Sequence, residues 1–488
     1  MKPRPDLPGG PWLVVGMARS GIAAALALRA RGEQVIGVDA GSPKGMDALA
    51  GAGVELHENV DGVALLDRAR AVVKSPGVPA QAPVIAAAHA RGIEVLGELE
   101  LGWRMLSNEF VVVTGTNGKT TTVELIGHIH REAGLPVAVA GNVGTAVSEL
   151  VGKVDGQATV VCEASSFQLE DTRAFAPEAA VLLNITPDHL DRHGTFAAYR
   201  DAKLQIFVRQ GNEDIAVAPT ALREGSAGRE SETGISPIPG CGRLVSFGEG
   251  VGAALSLSAG QLWWDERALL GVEEIRLPGR HNVENAMAAA AVCLARGIDV
   301  DAVRAGLRSF AGVRHRLEEV ASGDGVRWVN DSKATNVAST VVALDAMGEK
   351  AFDEDALADA QLKPREVNAL SRQADNGSAG KRAIHVILGG QGKGQDFAAL
   401  RGPVERSCRA VYLIGEDAPK IAAALAGLDV LTHECGDLER AVSRAREAAS
   451  PGDVVLLSPA CASFDQFADY EARGERFREL VEHPSGSA

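Results

Sequence analysis

The run Val111-Val112-Val113-Thr114-Gly115-Thr116-Asn117-Gly118-Lys119-Thr120-Thr121 constrains this chain more than any other stretch. It reads as an apolar strand, a tight glycine turn, and a Lys-Thr pair opening a helix through Val123-Glu124-Leu125-Ile126. That order aims backbone N–H groups and a helix N-terminus at a polyphosphate. Lys119 is then placed for the β- and γ-phosphates and the Thr120 hydroxyl for Mg²⁺. The run falls short of the full G-x-x-x-x-G-K-[ST] pattern, because Val113 stands where the first glycine belongs. A chance glycine turn ahead of a helix is the bland alternative. An ATP site over Gly115–Thr121 is the working expectation.

With 488 residues the chain is too long for one ordinary core, and length alone suggests about three domains. Its apolar content of 46% and charged content of 23% fit a soluble globular protein. Net charge is −15 with no lysine- or arginine-rich block, which argues against a nucleic-acid surface. The six cysteines form no C-x-x-C pair, so free thiols in a reducing compartment are expected. No signal-peptide core and no membrane-span-like stretch is visible. These features point to a cytoplasmic protein without a membrane partner.

Three strand–glycine–helix starts recur along the chain. The first runs Trp12–Val15, then Gly16-Met17-Ala18-Arg19-Ser20-Gly21, then an Ala/Leu helix to about Arg31, with a second strand, Val35–Val38, ending at Asp39. This βαβ opening resembles a dinucleotide fold, yet Ala18 replaces the middle glycine that lets a pyrophosphate approach the backbone. A nicotinamide-dependent oxidoreductase is therefore disfavoured. A further strand, Ala71–Val73, ends in Lys74-Ser75-Pro76-Gly77-Val78-Pro79, a turn at a carboxyl strand end where open α/β sheets bind ligands. The second start is the phosphate loop. Its unit adds strands Thr159–Cys162 and Ala179–Asn184, a loop near 221–243, a hairpin over Leu255–Trp264 and an Ala-rich helix from about Asn282 to Ala295. The third follows Arg314-His315-Arg316. It has strand Val326–Val329, helix Val337–Met347, and strand Ile384–Leu388 leading into Gly389-Gly390-Gln391-Gly392-Lys393-Gly394. The polar segment from Gly348 to Arg382 lacks periodicity and reads as a surface insertion.

Several side chains could carry chemistry. Glu163 ends a strand beside the phosphate loop, a good position for Mg²⁺, although alone it would read as a solvated turn residue. His189, in Asn184-Ile185-Thr186-Pro187-Asp188-His189-Leu190-Asp191-Arg192-His193, could bind a metal, orient a phosphate or be structural. Asn282 and Asn285 lie one helical turn apart at a helix start; their amides suit an adenine edge, and N-capping by Asn282 is compatible. Asp331 and Lys333 follow a strand and could meet phosphate and metal, or form a capping turn. Lys393 and Ser463 offer a cation and a hydroxyl suited to a carboxylate, or are solvated loop residues. Lys203, from spacing alone, reads as a surface helix lysine.

Taken in order, Gly115–Thr121, Glu163–Glu170, Asn184–Arg192, His281–Asn285, Asn330–Asn336, Gly389–Phe397 and Leu457–Phe467 resemble the Mur ligase family. The most specific pieces are Ser165-Ser166-Phe167-Gln168-Leu169-Glu170, Asn330-Asp331-Ser332-Lys333-Ala334-Thr335-Asn336 and Ser458-Pro459-Ala460-Cys461-Ala462-Ser463. The resemblance implies a three-domain α/β enzyme. A Rossmann-like N-terminal domain (1–97) would hold a UDP-sugar, a P-loop ATP-binding central domain (98–312) the nucleotide, and a Rossmann-like C-terminal domain (313–488) an amino acid. It implies UDP-sugar contacts at Ser20, Asp39, Ser75 and Gly77, a substrate contact at Asn142, and amino-acid contacts at Thr335, Lys393 and Ser463. ATP would be held by Lys119, Thr120, Asn282 and Asn285, joined by Arg316, Asp331 and Lys333. Lys203 becomes a carbamylated lysine sharing a second Mg²⁺ with His189 and Glu163; Lys119, Glu163, His189 and Lys203 are then the catalytic set. Within the family the pattern is nearest the members that join D-glutamate to UDP-N-acetylmuramoyl-L-alanine, acting as monomers. Arg19 departs from it, standing where the family often has an apolar residue.

Overall fold

The computed structural model describes residues 2–43, 47–220, 238–249, 252–277, 279–359, 382–392 and 394–483. The chain has a three-domain α/β architecture. Residues Met1–Ile275 with His281–Phe310 pack as one compact unit, and Arg276–Arg280 with Ala311–Ala488 as another. The first unit holds two sheets and the second holds one.

In the first sheet β1 (Trp12–Val15), β2 (Val35–Asp39), β3 (Glu55–Glu58), β4 (Ala71–Lys74) and β5 (Glu94–Gly97) run parallel in the order β3-β2-β1-β4-β5. Successive side chains point to opposite faces of a strand, and β1 feeds two cores accordingly. Trp12 and Val14 pack with Ala24, Leu28 and Val73, while Leu13 and Val15 pack with Ile36, Val72 and Ile85. Burial on both faces is the reason these strands read as continuous apolar runs. The order reverses beside β1, and the turns after β1, β2 and β4 open at the crevice this creates.

The second sheet contains β6 (Phe110–Thr114), β7 (Val137–Gly141), β8 (Thr159–Glu163), β9 (Ala179–Leu182), β10 (Ile215–Pro219), β11 (Arg243–Glu249), β12 (Leu255–Ser258), β13 (Gln261–Trp264) and β14 (Arg267–Gly271). Their order is β14-β13-β12-β11-β10-β9-β6-β8-β7. Strands β6 to β12 are parallel, and the β12–β13–β14 ribbon is antiparallel. The expected hairpin is there, turning through Ala259 (φ 50°) and Gly260 (φ 75°). Of the tract read as a loop, residues 221–237 lie outside the described residues, and Arg243 already belongs to β11. Strand β6 sits between β9 and β8, so the carboxyl ends of these three converge.

The third sheet joins β15 (Glu318–Gly323), β16 (Val326–Asn330), β17 (Ile384–Gly389), β18 (Cys408–Ile414), β19 (Leu431–Gly436) and β20 (Val454–Leu457) in the order β15-β16-β20-β17-β18-β19. Only β15 is antiparallel to its neighbour. The same alternation recurs: Val454 and Leu456 enter one core, Val455 and Leu457 the other. One expectation needs correcting here. The helix beginning at Val337 does not stop at Met347 but runs to Asp359, so the segment read as an aperiodic insertion starts as helix. Residues 360–381 lie outside the described residues. Among the described residues no helix is long and apolar enough to cross a membrane, and all six cysteines are free thiols.

Candidate functional site

The phosphate loop leaves the buried strand β6 and enters the helix Lys119–Glu132. Gly118 caps that helix at φ 84°, in the left-handed region that favours glycine. A Cβ there would also lie 2.1 Å from Asn285 Oδ1, so the turn needs glycine twice over. Asn285 Nδ2 donates to Asn282 Oδ1 at 3.2 Å, and both residues are buried. The asparagine pair therefore lies against the phosphate turn. Lys119 Nζ donates to the Gly115 and Thr116 carbonyls at 3.0 and 2.9 Å. The Thr120 hydroxyl donates to Glu163 Oε2 at 2.7 Å, and Asn142 Nδ2 donates to Oε1 at 3.1 Å. Glu163 is buried at the end of β8, and its carboxylate meets the loop where a hard cation would need oxygen ligands. Asn142, expected to touch substrate, thus also holds the Glu163 carboxylate.

Lys203 lies in the helix Phe196–Val208 and is 2% exposed. Its Nζ donates to the Gly115 carbonyl at 2.7 Å and sits 4.7 Å from the centre of the Tyr199 ring. Burial, reinforced by the Lys119 charge, pushes its pKa down to about 7. The surface-lysine reading from spacing is thus overturned. His189, at φ 51°, is half exposed; its ring centre lies 4.9 Å from that of Phe167 and 6.3 Å from that of Tyr199. The structure thus groups Thr120, Glu163 and Asn142 directly, with Lys203 touching the loop from its helix and His189 beside Tyr199 of that helix. Among the described residues no three His, Cys, Asp or Glu side chains form a metal-holding group.

In the first domain, Asp39 accepts from Met17 N at 2.7 Å and Gly41 N at 2.8 Å, which rigidifies the turn after β1. The Ser75 hydroxyl donates to the Gly16 carbonyl at 2.6 Å, while Gly77 is exposed and Ser20 lies in the first turn of the helix Arg19–Ala30. Arg19 Nη1 donates to Gly144 O at 2.9 Å, in the loop that carries Asn142.

In the second unit Asp331 is buried. It accepts from Ser458 Oγ at 2.8 Å and from Leu317 N at 3.2 Å. Burial raises its pKa to about 7, against the pull of the Ser458 hydrogen bond and Arg316. Arg316 Nε is buried without a hydrogen-bond partner, and Lys333 Nζ lies 5.6 Å from the centre of the Tyr470 ring. Thr335 is half-buried and Ser463 is buried near the Ala460 turn (φ 60°). Lys393 lies outside the described residues.

Three family models match this chain. They are the MurD-like N-terminal domain over residues 11–97, the Mur ligase middle domain over 113–293, and the Mur ligase glutamate ligase domain over 354–461. The UDP-N-acetylmuramoylalanine--D-glutamate ligase of Anaeromyxobacter dehalogenans is 42% identical, covering 98% of each chain. The chain belongs to the Mur ligase family. The enzyme of that same name from Acidobacterium capsulatum is 40% identical over 99% of this chain and 98% of its own. In fold, it is similar to the UDP-N-acetylmuramate-alanine ligase MurC of Thermotoga maritima, with a TM-score of 0.58 at 18% identity over 97% and 99% of the two chains. It is also similar to the MurF ligase of Thermotoga maritima in complex with ADP, with a TM-score of 0.55 at 18% identity over 92% and 94%.

Two residues of this Mur ligase that frame the loop, Asn184 and Tyr199, and one that caps the helix after β8, Ser165, have no role read from the sequence. Asn184 Oδ1 accepts from Thr116 N and Asn117 N at 3.1 and 2.9 Å, and its Nδ2 donates to Asn117 O at 3.3 Å. Tyr199 OH lies 3.0 Å from Thr116 Oγ1. Ser165 caps the short helix Ser166–Leu169 in a capping box with Gln168, which accounts for the S-x-x-Q spacing. That last signal was available locally; the first two depend on contacts across 67 and 83 residues.

Proposed function

We propose that this Mur ligase joins D-glutamate to UDP-N-acetylmuramoyl-L-alanine at the expense of ATP, in the synthesis of peptidoglycan precursors. The observation that carries the ligase reading is the buried Thr120–Glu163 contact of 2.7 Å at a glycine turn also touched by Lys119 and Lys203. The choice of substrates rests on the full-length likeness to relatives that bear that name.

The residues fit ATP and Mg²⁺. A glycine turn leads into a helix N-terminus, a buried carboxylate meets the threonine hydroxyl there, and a lysine stands beside it. When bound, ATP with about two Mg²⁺ ions supplies the phosphoryl group that gives the alanine carboxylate a leaving group and offsets the charge this develops. Gly115–Thr121 would cradle the phosphates, with Lys119 leaving the loop carbonyls for them. Asn184 holds the loop so that little reorganisation remains to be done. Asn282 and Asn285 keep the turn in place from the neighbouring helix. Thr120, Glu163, His189 and Lys203 would hold the metal.

Lys203 has the acidity its role needs. With a pKa near 7 a good share of its amine is uncharged at neutral pH, and only an uncharged amine attacks CO₂. The N–C bond forms, a proton leaves to solvent, and the product is a carboxylate. Ser20, Asp39, Ser75 and Gly77 are assigned to the UDP-sugar. Arg316, Asp331 and Lys333 are assigned to ATP, and Thr335, Lys393 and Ser463 to the amino acid, whose amine captures the activated acyl group. Excluding water matters, because an acyl phosphate is readily hydrolysed. Phosphate release should require ATP, UDP-N-acetylmuramoyl-L-alanine and D-glutamate together. Equal turnover without the nucleotide-sugar would overturn the reading, and faster turnover with L-glutamate would overturn the choice of amino acid.

A further inference from the structure

Within the first unit, a cluster of charges joins the first domain to the turn that bears His189, and none of the roles above uses it. Lys74, the last residue of β4, is buried. Its Nζ lies 2.7 Å from Asp171 Oδ2 and 3.9 Å from Glu170 Oε1, and it donates to the Val78 carbonyl at 2.8 Å. Arg192 approaches the same group from the other side. Its Nη2 lies 2.8 Å from Glu170 Oε1 and donates to the Val78 and Pro76 carbonyls at 3.2 and 3.4 Å, and its guanidinium lies 4.8 Å from the centre of the Phe167 ring. Gly97 makes room for this: a Cβ there would lie 2.8 Å from Asp171 Cβ.

The cluster grips a particular turn. Both cations donate to carbonyls of Lys74–Val78, the turn assigned to the UDP-sugar through Ser75 and Gly77. Arg192 N donates to His189 O at 3.1 Å, so the arginine and the half-exposed histidine share one short helical turn. Phe167 stacks on His193, lies tilted against His189 and sits under Arg192, so it links the three. Charges taken out of water are costly unless each is paired. A guanidinium can also lie flat on an aromatic face, as Arg192 does on Phe167, so it sets orientation as well as attraction. We propose that Arg192 and Lys74 are positioning residues that lock the UDP-sugar turn of the first domain to the His189 turn, so that the carboxyl end of the nucleotide-sugar arrives in register with the phosphate loop.

This inference rests on the ligase reading. Its test measures phosphate release from the full-length enzyme while each substrate is varied in turn. Arg192→Met should raise KM for UDP-N-acetylmuramoyl-L-alanine and lower kcat, each by about tenfold or more, because a shift of about 1 Å can cost as much as a hundredfold. KM for ATP should stay within about twofold, since the loop contacts are untouched. Arg192→Lys should recover only part of the loss, because a compact ammonium loses the guanidinium's flat contact on the Phe167 ring. The neutral pair Lys74→Met with Asp171→Leu removes the bridge without leaving a buried charge unpaired, and it should move the nucleotide-sugar KM the same way. It decides the matter should Arg192→Met fold poorly. Unchanged nucleotide-sugar KM in the folded variants overturns the inference, as does a loss of kcat that scales only with the folded fraction. A wild-type enzyme indifferent to the nucleotide-sugar would instead sink the ligase reading, and this inference with it.

Discussion

Lys203 marks the limit of what a local pattern conveys. Lys119 and Thr120 announce themselves by their place after Gly118, because a phosphate loop is a contiguous object. Lys203 has no such context. Its meaning comes from a 2.7 Å contact with Gly115, 88 residues away, and from burial that brings its pKa to about 7. Only the family resemblance singled it out. If it acts as a carbamate, Lys203→Ala should lower kcat by at least about a hundredfold, the scale of losing a group that stabilises developing charge. A short-chain carboxylic acid should then restore part of the rate in a dose-dependent way. An unimpaired alanine variant would remove the role. Gly118 is the opposite case, legible and steric. Gly118→Ala meets Asn285 Oδ1 at 2.1 Å and a backbone at φ 84°. It should weaken ATP binding by about tenfold or more, given strain on the order of 1–3 kcal/mol at such a position. Nucleotide titration against the folded variant measures this directly.

At the level of elements, the apolar strands and the glycine turns after them were readable because both periodicity and turn chemistry are local. Helix length was not. Val337–Asp359 continues past Met347 into residues whose polarity and lack of periodicity suggested a surface insertion. Buried polar networks inside the sheets were also invisible. His385, near the start of β17, has Nδ1 2.9 Å from Tyr412 OH and Nε2 3.2 Å from Asp453 Oδ2; Arg409 Nη1 lies 2.6 Å from the same carboxylate oxygen. Burial, helped by Arg409 and His433, holds the imidazole pKa below its ordinary 6.5, against the pull of Asp453. The folded state therefore keeps the ring neutral while the unfolded chain takes up a proton first as pH falls. Stability from this group is complete above about pH 6.5 and is lost as pH drops through the folded value, at no more than about 1.4 kcal/mol per pH unit for one proton. Asp331 in the same unit, raised to about 7, pulls the other way over this range in both proteins, so the effect of His385 is read as a difference. Between pH 7 and 5.5 the urea midpoint of the second unit should drop relative to that of His385→Gln, which cannot titrate. Parallel curves for the two proteins would assign the acid sensitivity elsewhere.

For the whole molecule, three strand–glycine–helix starts were enough to read three α/β domains, because each start needs its own sheet to cover it. How the first two are held in one unit was not readable, since one of the devices is a short polar segment ahead of β1. Lys2 Nζ donates to the Ala176 and Pro177 carbonyls at 3.0 and 3.2 Å and pairs with Asp214 at 2.5 Å. Arg4 donates to the Trp103 and Asn108 carbonyls, and its guanidinium lies 4.8 Å from the centre of the Trp103 ring and 5.2 Å from that of Phe110. Burial brings the Arg4 pKa down to about 10, so it remains charged at neutral pH. The strap thus anchors the start of the first sheet to the strand that leads into the phosphate loop. Arg4→Ala removes two charge-assisted hydrogen bonds and a ring contact, and should cost about 2–3 kcal/mol. Arg4→Lys should recover little, since a point charge cannot span both carbonyls and lie flat on an indole. Hydrogen exchange separates this from a global effect. Amides of Phe110–Thr114 and Trp12–Val15 should exchange faster in Arg4→Ala, while those of Ile384–Gly389 and Val454–Leu457 should not. Equal acceleration in both units, or none in either, would mean that the strap does not hold the first unit together.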